Sequence, residues 1–156
     1  KTYHWLFLAQ PAPMPERLIG RGPVDWLEHT LASWTKSKDL SAFGKRALAH
    51  YRAFFSVPER IAATCEDYRA GATIDRALDE ADLAGTRRID VPTLVLWGAA
   101  GIPAGPSGSD PETGPLAAWA PFMAPGASLD GAGLDCGHFL AEEVPEATAE
   151  RLLAFL

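Results

Sequence analysis

The sequence predicts an α/β protein in two parts, and three observations carry that expectation. Residues 1 to about 85 show apolar side chains at helical spacing almost without interruption. From Ile89 the pattern changes to a short, nearly continuous apolar run, Val91–Gly98, rich in β-formers and fit for a buried parallel strand. Beyond it, helix-like and strand-like stretches alternate to the C-terminus. The expected division is a helical domain over 1–85 and the end of an α/β core over 86–156. One or two strands cannot form a sheet covered on both faces. The remaining strands are therefore expected from an N-terminal half of the core that this chain lacks. The start at Lys1-Thr2-Tyr3, already inside an amphipathic pattern, fits the same expectation.

Each element has its own local reason. Tyr3 to Ala9 is an apolar turn or two, stopped by Gln10-Pro11-Ala12-Pro13, where the prolines force an extended connection. Pro15 to Ile19 forms a short helix ended by Gly20. Pro23 suits a first helical position and opens a run with Trp26, Leu27, Thr30, Leu31 and Trp34 on one face. Ser41 is positioned to cap a helix containing Leu48, Tyr51, Phe54 and Phe55. Ser56-Val57-Pro58-Glu59 offers a cap, an early proline and an early acid for the next helix, with Gly71 interrupting it. Thr73 to Leu83 is a further helix. Ala99 to Gly114 is Gly/Pro/Ser-rich loop, Leu116 to Met123 a helix, Ala127 to Asp130 a weak last strand, and Glu146 to Leu156 the final helix.

The totals exclude several function classes. With 156 residues the chain is long enough for a real core. A net charge of −6 argues against nucleic acid or an anionic membrane surface as partner. Cys65 and Cys136 are too few for a disulfide framework and too far apart for a zinc spacing, so a cytoplasmic location is the expectation. No apolar run approaches the roughly 18 residues of a membrane helix. No motif for a metal or organic cofactor is present, and none is expected.

The residues that carry chemistry come late and early. Gly137-His138-Phe139-Leu140-Ala141 puts a histidine after a small residue, behind a weak strand and ahead of a helical tail. That is how an α/β-hydrolase presents its catalytic base. No strand-to-helix elbow bearing a nucleophile precedes it. Tyr3-His4-Trp5-Leu6-Phe7-Leu8-Ala9-Gln10-Pro11-Ala12-Pro13, then Cys65-Glu66-Asp67-Tyr68-Arg69-Ala70-Gly71, then Gly137-His138-Phe139-Leu140-Ala141-Glu142-Glu143 follow in that order. In this order they resemble the haloacetate dehalogenases, fluoroacetate dehalogenases in particular, from the start of the helical cap domain to the last core helix.

The resemblance implies roles. His4, Trp5 and Tyr68 would hold the departing halide, His138 would be the general base, and Trp34 would line the substrate pocket. The nucleophilic aspartate, the triad acid and the arginines that hold the substrate carboxylate would lie ahead of the cap, outside this chain. Gly98-Ala99-Ala100-Gly101, where many α/β-hydrolases carry the triad acid, has no carboxylate, which agrees with an acid placed upstream. Asp110 and Asp135 are the fallback candidates. The glycine-rich segment Pro103 to Pro115 looks longer than such loops usually are. The implied reaction turns a small 2-haloacid into the 2-hydroxy acid and halide. The implied partners are that substrate and the halide ion, with a homodimer allowed.

Other readings stay open. His4 and Trp5 on an apolar helix also suit core packing. His138 could be a loop-capping residue. Arg69 reads more naturally as half of a structural ion pair than as an anion contact. His29 and His50 read as solvated, and Trp26, Trp97 and Trp119 as core. Cys136 stands on the wrong side of His138 for a nucleophile. An epoxide hydrolase or an esterase on the same scaffold, or a non-catalytic helical interaction module, are the alternatives.

Overall fold

The computed structural model describes residues 3–101 and 113–156, and these fall into two compact units. The expected triad fallback Asp110 and most of the Pro103–Pro115 segment lie outside the described residues. The first unit comprises Lys1–Thr30 and Lys45–Ala84; the second comprises Leu31–Gly44 and Gly85–Leu156. The packing division thus differs from the division along the chain in one segment, since Leu31–Gly44 packs with the C-terminal unit.

The first unit is built from helices α1 (Tyr3–Leu8), α2 (Met14–Ile19), the first part of α3 (Pro23–Trp34), α4 (Lys45–Phe55), α5 (Pro58–Ala72) and α6 (Ile74–Ala84). Its core is Leu8, Ile19, Ile61 and Cys65, with Phe7, Trp26, Phe55 and Tyr68 packed around it. Leu8 comes from α1, Ile19 from α2, and Ile61 with Cys65 from successive turns of α5. Full burial of one such aliphatic side chain stabilises by about 1.5–3 kcal/mol, so this small cluster sets how α1 and α2 sit on α5. Arg69 of α5 ties the same three segments together. It pairs with Glu16 of α2 at 2.5 Å, donates to the carbonyl of Gln10 at 2.8 Å, and pairs with Glu66 at 2.7 Å. It is therefore a structural ion-pair residue.

Several helix boundaries differ from the sequence expectation. Helix α4 opens at Lys45, and Ser41 lies in the preceding turn, where its hydroxyl and its backbone N–H both donate to Asp39. Helix α5 starts after Val57 without a side-chain cap, because the Ser56 hydroxyl donates to the carbonyl of Arg52 in the previous helix. Gly71 does not interrupt α5, which continues to Ala72. At both serines the hydroxyl found a local backbone acceptor or a nearby carboxylate before it could reach the next helix.

The second unit holds a parallel pair, β1 (Thr93–Gly98) beside β2 (Leu129–Leu134), in register from Thr93 with Leu129 to Gly98 with Leu134. The last strand is thus longer and later than Ala127–Asp130. An isolated parallel bridge joins Ile89 to Met123. The crossover includes α7 (Pro115–Trp119) and a 3-10 turn, Ala120–Phe122, instead of one continuous helix. Pro121 removes a backbone donor there and tightens the chain. After β2 come α8 (Leu140–Glu143) and α9 (Pro145–Phe155). Trp119, expected in the core, is 45% exposed, because α7 is only five residues long and presents it outward. No helix among the described residues is long and apolar enough to cross a membrane.

Candidate functional site

In the helical unit the structure brings three of the sequence-chosen side chains together. His4 and Leu8 stand one turn apart on α1 and face inward, leaving His4 only 3% exposed. Trp5, the next residue, is rotated by about a quarter turn toward solvent and is 52% exposed. Tyr68 lies three residues beyond the buried Cys65 on α5, on the same face, and is half-buried. The His4 ring meets both partners edge-on, with centroids 6.1 Å from Trp5 and 5.8 Å from Tyr68. Tyr3 also stands edge-on to His4, at 6.0 Å. Burial, and secondarily the charge of Asp67, pushes the Tyr68 phenol up, so it stays an O–H donor near neutral pH.

The other two candidates meet in the second unit. The backbone N–H of His138 donates to the carbonyl of Trp34 at 2.9 Å, and the two rings stand edge-on with centroids 5.0 Å apart. Trp34 also stacks on Phe139 at 6.0 Å, and Phe43 closes on Phe139 at 5.2 Å. His138 is exposed. It lines one side of an open cavity of about 300 Å³ with Val95, Trp97, Gly98, Trp119 and Leu140. That cavity sits at the end of β1, where a parallel strand delivers its C-terminal residues.

The approach of the His138 loop to β1 depends on glycine. A methyl group at Gly98 would overlap the carbonyl oxygen of Gly137, and one at Gly137 would overlap the backbone of Trp34 and Lys36. Asp135 is paired with Lys36 at 2.5 Å on the surface. Among the described residues, no group of histidine, cysteine, aspartate and glutamate is arranged to hold a metal ion. Cys136 is buried, and burial raises its thiol pKa, so it is a poor nucleophile. His29 and His50 are exposed, as expected of solvated histidines.

Sequence reasoning missed the residue that holds the His138 loop, Glu143. Its carboxylate accepts from the backbone N–H groups of Gly137 at 2.9 Å, Phe139 at 3.1 Å and Lys36 at 2.8 Å. The available signal was an acid at the end of a short helix directly after the histidine motif.

No family model matches the chain. A fluoroacetate dehalogenase from Burkholderia sp is 37% identical over 154 residues, which is 99% of this chain and 47% of that protein. Among solved structures, a protein from Nostoc sp PCC 7120 described as an α/β-hydrolase matches with a TM-score of 0.82 and 45% identity. The match covers 98% of this chain and 48% of that one. Over the part it spans, the chain has the α/β-hydrolase fold. A Pseudomonas aeruginosa structure described as an epoxide hydrolase matches as well, with a TM-score of 0.85 and 36% identity over 99% of this chain and 48% of that one. The chain spans about half the length of the relatives it matches. The similarity to fluoroacetate dehalogenase extends over almost the whole chain, and the helical unit followed by a short parallel sheet agrees with the fold class expected from the sequence.

Proposed function

We propose that this chain supplies the halide-holding residues and the general base of a hydrolytic dehalogenase acting on small 2-haloacids, fluoroacetate being the first to test. The observation that carries the proposal is the His4–Trp5–Tyr68 cluster, set in a chain 37% identical to a fluoroacetate dehalogenase. Imidazole, indole and phenol are neutral donors, suited to an anion that forms during reaction. Displacement breaks the carbon–halogen bond and leaves the electron pair on the halogen. Fixed donors replace the water that a small halide would otherwise need. They act mainly on the transition state, since the bonded halogen is a poor acceptor.

In this reading a carboxylate outside the chain attacks the halogen-bearing carbon, forming an ester and releasing halide. His138 then takes a proton from water, and the resulting hydroxide attacks the ester carbonyl. Cleavage of the acyl–oxygen bond frees the 2-hydroxy acid and restores the carboxylate. A histidine suits this step because its ordinary pKa lies near neutrality. Trp34 holds the imidazole edge-on and contributes an apolar wall. The helical unit takes the place of a cap domain. No cofactor is needed, and the reading places the protein in the cytoplasm.

An epoxide hydrolase is the second reading. Two tyrosines, Tyr3 and Tyr68, flank His4, and paired cap tyrosines suit an epoxide oxygen. The test joins this chain to the portion of the Burkholderia dehalogenase that it does not span. The chimera should release fluoride from fluoroacetate and leave a simple epoxide untouched. His138→Ala should stop turnover, and Tyr68→Phe should lower kcat about 100-fold through loss of one donor. Epoxide opening without halide release would select the second reading.

A further inference from the structure

We propose that Glu143 is the positioning residue of His138, a carboxylate brace that locks the histidine loop to the turn after Trp34. The proposal rests on His138 being the general base, but its structural evidence stands apart from that role. The loop between β2 and α8 carries Asp135 to Phe139 and has no strand or helix of its own to pair its amides. Buried amides need partners. Cys136 N–H finds the carbonyl of Leu134, and His138 N–H finds the carbonyl of Trp34. The two amides on either side of His138, those of Gly137 and Phe139, both donate to the Glu143 carboxylate.

The same carboxylate accepts from the amide of Lys36, two residues after Trp34. One Glu143 oxygen, Oε2, is shared by Gly137 and Lys36, while Oε1 takes Phe139. Charge-assisted bonds of this kind are short and strongly directional. Glu143 therefore fixes both segments that position the imidazole, the loop that bears it and the turn whose tryptophan faces it. Gly137 is essential to the arrangement, because only a residue without a Cβ lets the loop lie against Trp34 and Lys36. Glu143, the last residue of α8, also reaches back to the N–H of Phe139, the residue just before that helix. Glu143 does not touch the reacting atoms in this arrangement; it acts through the loop.

Amide hydrogen exchange on the 156-residue chain tests the brace without turnover. In Glu143→Ala, the amides of Lys36, Gly137 and Phe139 should exchange at least about tenfold faster, with the β1 and β2 amides unchanged. The nuclear Overhauser contact between the Trp34 indole and the His138 ring should weaken in step. Glu143→Gln keeps the side-chain shape but only one oxygen, and should rescue part of the protection. If Glu143→Ala does not fold, Glu143→Gln carries the test alone. Unchanged exchange at all three amides overturns the brace. In the chimera, Glu143→Gln should lower kcat and leave KM unchanged. Should His138→Ala keep full activity, the base reading fails while the exchange result still decides the brace.

Discussion

At the scale of single residues, position on a helix decides what each aromatic can do. His4 and Trp5 are neighbours in sequence, yet one is buried and the other half open, because consecutive helical residues point about a quarter turn apart. In the proposed chemistry, such a pair would supply one donor fixed by packing and one near solvent. The cysteines behave in the opposite way. Burial pushes the Cys65 thiol up to about 11, with further upward help from Glu16. At pH 8 only about one such thiol in a thousand is ionised. Iodoacetamide at pH 8 should therefore modify Cys65 and Cys136 in the folded chain far more slowly than in urea, and equal rates would show the cores to be open. His4, Trp5, Tyr68 and His138 could be nominated from the sequence because each stood in a short motif. Glu143 was not, because its role depends on three amides from two distant stretches of chain.

At the scale of elements, the helical unit was readable from periodicity, while the caps were not. Ser41 and Ser56 had the right identity for capping but found closer acceptors, and no spacing rule reveals that competition. The same holds for Ala120–Phe122, where an expected helix tightened into a 3-10 turn at Pro121. Between α2 and α5 the Glu16–Arg69 pair is the main polar tie. Burial alone would raise the Glu16 carboxyl, but the hydrogen bond and charge of Arg69 outweigh it and hold the group below its ordinary 4.5. A depressed acid stabilises the fold above that ordinary value and loses its contribution as pH falls through the lowered one. Glu16→Gln should thus lower Tm at pH 7, with the gap to the unmutated chain closing toward pH 3; a gap independent of pH would remove charge from the explanation. At the sheet, Gly98→Ala forces a methyl group into the Gly137 carbonyl and should cost more than about 2 kcal/mol in urea unfolding. A loss under about 0.5 kcal/mol would mean the loop simply moves aside.

At the scale of the whole molecule, the sequence pattern anticipated an α/β class with a helical first part, and the two strands pair in parallel as such a class requires. Packing assigned Leu31–Gly44 to the second unit, which periodicity could not reveal because α3 is one unbroken helix through the change. The chain brings together His4, Trp5 and Tyr68 in one unit and Trp34 and His138 in the other. In the proposed chemistry it still requires a carboxylate nucleophile from outside. The 156-residue chain alone should accordingly release no halide from fluoroacetate, while the chimera does so.

The most direct measurement is a bromide titration of the 156-residue chain, followed at the indole N–H signals of its five tryptophans. The account predicts a saturable shift at Trp5 that disappears in Tyr68→Phe, with Trp26 and Trp119 unmoved. Equal, non-saturating shifts at all five indoles would contradict a halide site built from His4, Trp5 and Tyr68.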